Sequence, residues 1–378
     1  MKTIRPHSLL VIILPLMAGL LLAVPATSAS NNIPAGHAAE SADSKKISAA
    51  DSCFEYDGRF DFSPSNAPVV IWQASRICVD FDGDTLTLLF DEAKDQNFFN
   101  ATVDNSNTIV EVRPGAALQP VTIPGLGNGP HELTLFKRSE AAAGTVRFRG
   151  IEIAKDAKAW APPPKPGKLK MMFFGDSITV GACNEDGPTD QWATRRTHNS
   201  ALSYAALTAA AFSADYRNIS VSGMGIATGW VKPKAGEVWN RLYPDPASPL
   251  ADLTQWMPQV VFLNFGENDG SFSSAHGESF PTNFTAGYVA LVHAVRKAYP
   301  AAEIVLLRGG MSNGATNPAL REAWESAVSQ TEAKDNAVSH FVFKHWTGNH
   351  PRVADDRIMA DELAAWLKKQ RFMQAYCD

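Results

Sequence analysis

From residue 53 to residue 153, apolar and polar positions alternate in short runs, at 69–72, 76–81, 85–90, 98–103, 109–113, 131–137 and 145–153. Turn formers separate the runs, among them Asp82-Gly83-Asp84, Asp104-Asn105-Ser106-Asn107 and residues 125–130. Period-two alternation sends every second side chain to one face. Several such runs with no stretch of helical spacing predict a β-sandwich of the jelly-roll kind.

Beyond residue 169 the period changes. Apolar runs at 170–174, 215–221, 260–265, 303–307 and 338–343 read as strands. Between and after them, 199–212, 286–298, 319–330 and 356–369 read as helices. Strands that alternate with helices predict a doubly wound α/β domain on a parallel sheet. Ala159-Trp160-Ala161-Pro162-Pro163-Pro164-Lys165-Pro166-Gly167 marks the joint, because prolines at this density can neither continue a helix nor enter a central strand. The expected division is a β-sandwich over 51–158, a proline-rich connector over 159–168 and an α/β domain over 169–378.

Two segments precede that division. Residues 1–29 open with Lys2 and Arg5, run through an apolar stretch and end in Pro25-Ala26-Thr27-Ser28-Ala29, the pattern of a cleaved secretory signal peptide. Residues 30–50 are read as a flexible lead-in. A secreted or periplasmic location follows. Export makes four cysteines an even set in an oxidising compartment. The preferred disulfides join Cys53 to Cys78 and Cys183 to Cys377, one of three pairings that four cysteines allow. No Cys-x-x-Cys spacing suggests a metal site.

Composition narrows the function by exclusion. With 34 basic against 39 acidic residues, the net charge is −5 and no basic stripe is visible, so no nucleic-acid partner is expected. No later segment is apolar enough to span a bilayer, so none is expected at a membrane in the mature form.

The candidate chemistry lies where α/β sheets keep it, past the carboxyl ends of the strands. The first strand runs into Gly175-Asp176-Ser177-Ile178-Thr179-Val180-Gly181, a tight strand-to-helix turn that lifts a serine out of the sheet. The second ends in Ser222-Gly223-Met224-Gly225 and the third in Gly266-Glu267-Asn268-Asp269-Gly270. Glycine amides and an asparagine amide are donors suited to a developing oxyanion. After the last strand comes Lys344-His345-Trp346-Thr347-Gly348-Asn349-His350-Pro351, where His350 is placed to reach back to the serine.

Serine, glycine, asparagine and histidine in that order, on four strand ends, resemble the SGNH (GDSL-like) hydrolases. The resemblance implies a three-layer α/β/α sandwich. It assigns Ser177 as nucleophile, His350 as base, and Ser177, Gly223 and Asn268 as the oxyanion hole, with Gly225 as the fallback for Gly223. Further features sharpen it: Phe136-Lys137-Arg138-Ser139-Glu140, the proline-rich joint, Asn199 with Tyr204, and His350-Pro351 ahead of Met359-Ala360-Asp361-Glu362-Leu363. Together they resemble carbohydrate esterase family two over residues 56–367. That family joins a jelly roll to an SGNH domain and removes O-acetyl groups from polysaccharides such as xylan and glucomannan. The implied partner is an acetylated polysaccharide or oligosaccharide, with no metal or organic cofactor.

One position departs from the pattern. Most SGNH enzymes carry an aspartate three residues before the histidine; here that residue is Thr347, and 344–349 contains no carboxylate. Some members of the family work as a Ser-His dyad, and the expectation here is a dyad whose histidine is held by a carbonyl from residues 346–348. Asp355, Asp356 or an impaired enzyme are the alternatives. Among Trp230, Trp239 and Trp346, loop position favours Trp346 and Trp230 for stacking on sugar. The rival functions are another acyl substrate on the same scaffold, or an inert carbohydrate-binding protein.

Overall fold

Alternating burial along the N-terminal strands closes two sheets onto one core. The structure, a computed structural model, describes residues 32–34, 43–164 and 169–376. One sheet runs in the order Asn32–Pro34, Ser106–Val112, Asn97–Val103, Pro130–Lys137, Arg76–Asp82 and Ala159–Trp160, with Glu55–Asp57 also paired to Arg76–Asp82. The facing sheet runs Gln119–Ile123, Leu86–Asp95, Gly144–Ala154, Val69–Val70 and Phe60–Asp61, with Ser44–Ser48 added against Gly144–Ala154. Val79, Phe81, Leu88, Phe90, Leu133 and Phe148 fill the space between them and are buried. The sandwich read from the alternation is present.

The lead-in needs correction. Ser44–Ser48 pairs antiparallel with residues 150–154, and Ile47 packs against the sandwich core, which orders this stretch. The signal-peptide reading falls on residues 1–29, outside those described. At the joint, Ala159–Trp160 adds an edge strand, where the prolines that follow cost no ladder hydrogen bond.

The second architecture is a five-stranded sheet in the order Asp215–Ser220, Lys170–Gly175, Val260–Asn264, Glu303–Met311 and Val338–Thr347, parallel throughout. Its central strands are apolar on both faces because helices cover both. Met172 and Phe174 face a core shared with Phe284–Ala298 and Pro318–Glu332. Met171 and Phe173 face Tyr204–Ala210 and Val353–Leu367. This is the three-layer α/β/α arrangement.

The expected helix over 199–212 is interrupted. Ser203 caps Tyr204–Ala210 through its hydroxyl and leaves Ser200–Leu202 as a separate single turn. Glu267–His276 is a helix that the spacing of apolar positions does not announce, because its polar sequence carries no apolar stripe.

Sandwich and α/β sheet share a core. Val69, Ile71 and Trp72 join the cluster that contains Ile219 and Trp239. Trp72 Nε1 donates to the Leu242 carbonyl at 2.8 Å, and Arg59 donates to the carbonyls of Trp239 and Arg241 at 2.9 and 2.8 Å.

The expected Cys53–Cys78 bridge does not form. Glu55 is the register partner of Cys78, which leaves Cys53 two residues out of line. Cys53 is a buried thiol, and the Cys78 sulfur lies 3.7 Å from Thr134 Oγ1. Cys183 is also a buried thiol; its expected partner, Cys377, lies outside the described residues. Among the described residues, no helix is long and apolar enough to cross a membrane.

Candidate active site

Ser177 begins the one-turn helix Ser177–Val180 directly after the Lys170–Gly175 strand. Asp176 caps that turn, its Oδ1 accepting from the Ile178 amide at 3.0 Å, and Gly181 closes it in the left-handed region at φ +77°. The serine is thereby held at the carboxyl end of an interior strand, nearly buried but lining a cleft of about 500 Å³.

His350 arrives from the segment after Val338–Thr347, with Nε2 2.8 Å from Ser177 Oγ. Its other nitrogen, Nδ1, lies 2.6 Å from Asp190 Oδ2. Asp190 Oδ1 in turn faces Arg352 Nη1 at 2.8 Å. Burial pushes the Asp190 carboxyl up, but the bonds from His350 and Arg352 outweigh it and bring the group down to about 2. The carboxylate therefore stays ionised wherever an esterase works.

This overturns the dyad. The partner of Nδ1 is a side-chain carboxylate and not a carbonyl from residues 346–348. Neither Asp355 nor Asp356 takes the role. Asp355 binds His345 Nε2 and the Arg352 amide, while buried Asp356 accepts from Asn184 and the Tyr204 amide.

The two expected glycines separate clearly. Gly223 lines the cleft at φ +81°, and a Cβ there would meet Trp230 Cβ at 3.1 Å. Gly225 is packed against Asp269 and the Thr228 carbonyl, so the fallback is not needed. Asn268 lines the cleft from the start of Glu267–His276, its Nδ2 shared between Asp176 Oδ2 at 3.0 Å and the Met224 carbonyl at 3.1 Å. Asp269 holds the far side of the same segment, accepting from the amides of Ile226, Ala227 and Thr228.

Of the tryptophans, Trp230 lines the cleft and is half exposed. Trp346 does not: it is exposed on its strand but is not among the residues that line the cleft, so its stacking role is withdrawn. Trp239 is buried in the core.

Asp190, Trp192 and Arg195 were missed. All three lie in the long connection after the serine turn, where Trp192 meets the His350 ring edge-on at 5.1 Å and Arg195 lies 4.7 Å over Trp192. Their only sequence signal is a cluster of charged and aromatic residues in an unusually long loop. Glu140 of the sandwich also lines the cleft, its Oε2 accepting from the Ser222 amide at 2.9 Å.

Two donor sets, Cys183-Asp190-His350 and Cys183-Asp186-His198, have atoms within 4.8 Å of one another. In the first set both His350 nitrogens are already committed, to Ser177 and Asp190; in the second, His198 Nε2 lies 3.0 Å from the Gln191 carbonyl and 3.4 Å from Cys183 Sγ. Burial, then Asp190 and Asp186, push the Cys183 thiol up, so it is protonated and no nucleophile.

Residues 56–163 match the family described as carbohydrate esterase 2 N-terminal, and residues 173–363 match the GDSL-like lipase/acylhydrolase family. The chain is 32% identical over 326 residues to the cellulase/esterase CelE of Acetivibrio thermocellus, which covers 83% of this chain and 39% of that longer protein. It is 31% identical to an acetylxylan esterase / glucomannan deacetylase of Cellvibrio japonicus, covering 82% of this chain and 88% of the relative. Among solved structures, a family two carbohydrate esterase from Clostridium thermocellum in complex with cellohexaose superposes with a TM-score of 0.75 at 32% identity, over 83% of this chain and 98% of the other.

Proposed function

The chain belongs to the family-two carbohydrate esterases, a GDSL-like hydrolase behind that family's N-terminal domain, and from that premise we propose that it is an exported esterase removing O-acetyl groups from xylan- or glucomannan-type polysaccharide through an acetyl-serine intermediate. The observation that carries the mechanism is the line from Ser177 Oγ through His350 to Asp190, with bonds of 2.8 and 2.6 Å. The names of the relatives support the substrate class.

The steps follow from the geometry. His350 Nε2 takes the Ser177 proton as Oγ attacks the acetyl carbonyl. The imidazolium that forms is stabilised by Asp190, which also fixes the tautomer with the proton on Nδ1. The tetrahedral oxyanion is bound by the amides of Ser177 and Gly223, and by Asn268 on exchange of one of its internal bonds. Each such donor is worth roughly 10²–10³ in turnover. His350 then protonates the departing sugar hydroxyl, and water attacks the acetyl-enzyme by the reverse route.

Trp192 and Trp230 supply apolar faces for a sugar ring beside the scissile ester. The proposed division keeps the hydrolase at 169–378 and the sandwich at 51–158 with the connector 159–168 between, residues 1–29 serving as the export signal. The first matched family span ends at residue 163, within that connector, and the second begins at residue 173, beyond it.

The test is acetate release from acetylated xylan, acetylated glucomannan and an aryl acetate, beside Ser177→Ala. The parent should release acetate from all three and the variant should lose about 10⁴-fold or more. Equal rates in parent and variant would overturn the reading.

A further inference from the structure

Glu140 is a fully buried carboxylate that belongs to the sandwich yet lines the cleft of the α/β domain. A buried carboxylate is costly unless its oxygens are bonded. One oxygen, Oε2, accepts from the Ser222 amide at 2.9 Å, while Oε1 is buried with no hydrogen-bond partner among the described residues. Lys137, also buried, donates from Nζ to the Gly144 carbonyl at 2.9 Å. Nothing in the Ser177–His350–Asp190 line uses Glu140.

Its bond falls on the residue immediately before Gly223. The segment carrying Gly223 is held at several points. From the sandwich, Gln73 Nε2 donates to the Ser220 carbonyl at 2.9 Å and Glu140 receives the Ser222 amide. From the α/β domain, Asp269 receives the amides of residues 226–228. Between these anchors Gly223 adopts φ +81°, and its carbonyl accepts from Trp230 at 2.8 Å. Fixing the Ser222 amide fixes the backbone from which the next peptide, with the Gly223 N–H, is projected.

We propose that Glu140 is a positioning residue for the oxyanion hole: the sandwich, through this carboxylate, sets the direction of the Gly223 amide, so the active site is completed by both parts of the chain. The inference rests on the esterase reading above and adds to it a part played by the sandwich. It follows that the requirement is for an acceptor at Oε2 and not for a charge.

The test uses the full chain and an aryl acetate, with active serines counted by fluorophosphonate titration so that kcat refers to folded sites only. In Glu140→Ala, kcat per titrated serine should fall by roughly 10–100-fold, somewhat less than the loss of a whole donor. KM should change less than about three-fold, because the oxyanion exists only in the transition state. Glu140→Gln, whose amide oxygen can still accept from Ser222, should recover most of the rate; Glu140→Met, similar in length but with no acceptor, should not, and it replaces the alanine variant if that fails to fold. Parent-like kcat per titrated serine in the alanine or methionine variant overturns the proposal, as does a glutamine variant as slow as the methionine one. Failure of the esterase reading looks different: the parent itself would not titrate at Ser177.

Discussion

Ser177, Gly223 and Asn268 reach the cleft from the ends of parallel strands, each within a few residues of a main-chain ladder. Asp190, Trp192 and Arg195 reach it from a connection with little regular structure beyond the single turn Arg195–Thr197. The first group inherits its position from sheet register. The second is held by side chains that come from elsewhere: Gln96 of the sandwich binds the Ala193 carbonyl and the Arg195 amide at 3.1 and 2.8 Å. Asn349 and Arg352 bind the carbonyls of Pro188 and Gly187 at 3.0 and 2.8 Å. A catalytic carboxylate can thus stand on a loop, provided the loop is clamped from both sides. Here the clamp also touches the proposed catalytic pair, since Arg352 faces Asp190.

The comparison breaks most visibly at Asp190. If the connection supplies a working triad member, Asp190→Asn should lower kcat by about 10³–10⁴. A loss below ten-fold would return the histidine to a carbonyl-held dyad. Acid sensitivity should change as well. The Asp190 carboxyl lies below the ordinary carboxylate range, so its stabilising effect is complete above that range and is lost as pH falls toward about 2. The asparagine variant should lack that component of the acid limb in a stability–pH series.

On the strand-end side, Asn268→Ala should cost roughly 10²–10³ in kcat with KM little changed. A parent-like rate would mean that the two amides suffice and that Asn268 only braces Asp176 and Met224. The tether is a milder probe. Gln96→Ala leaves every catalytic group in place but frees one side of the loop, and about a 3–10-fold fall in kcat/KM is expected, near 1 kcal/mol. No change would show that Asn349 and Arg352 hold the loop unaided.

The remaining effect is on stability and not on rate, and it concerns the sandwich beneath Glu140. Burial brings Lys137 down to about 7, against the partial support of Glu140, so the fold disfavours the charged lysine. That penalty is complete below about pH 7 and fades as pH rises toward the ordinary lysine value of 10.5. Melting temperature should therefore climb over that interval more steeply in the parent than in Lys137→Met. Parallel curves would place the lysine in solvent.

The strand-end group was legible in the sequence because its signals are local. A serine after an apolar run, a glycine pair and a histidine ahead of the last helix each declare their own context. Both architectures were legible for the same reason, through periods of two and of alternating strand and helix. Asp190 was not, because no periodicity marks residues 182–199 and its partner His350 is 160 residues away. Glu140 stands in a recognisable motif, but its reach to Ser222 depends on how sandwich and sheet pack together. The Glu267–His276 helix escaped because a polar helix pinned at its buried first turn leaves no stripe. The Cys53–Cys78 pairing failed because parity says nothing of register.

The most direct test of the account is to quench steady-state turnover of an aryl acetate with acid and locate the acetyl group by peptide mass spectrometry. The account predicts an acetyl ester on Ser177 in the parent and none in Ser177→Ala, which should also lose turnover. Sustained turnover with Ser177 never acetylated would contradict it.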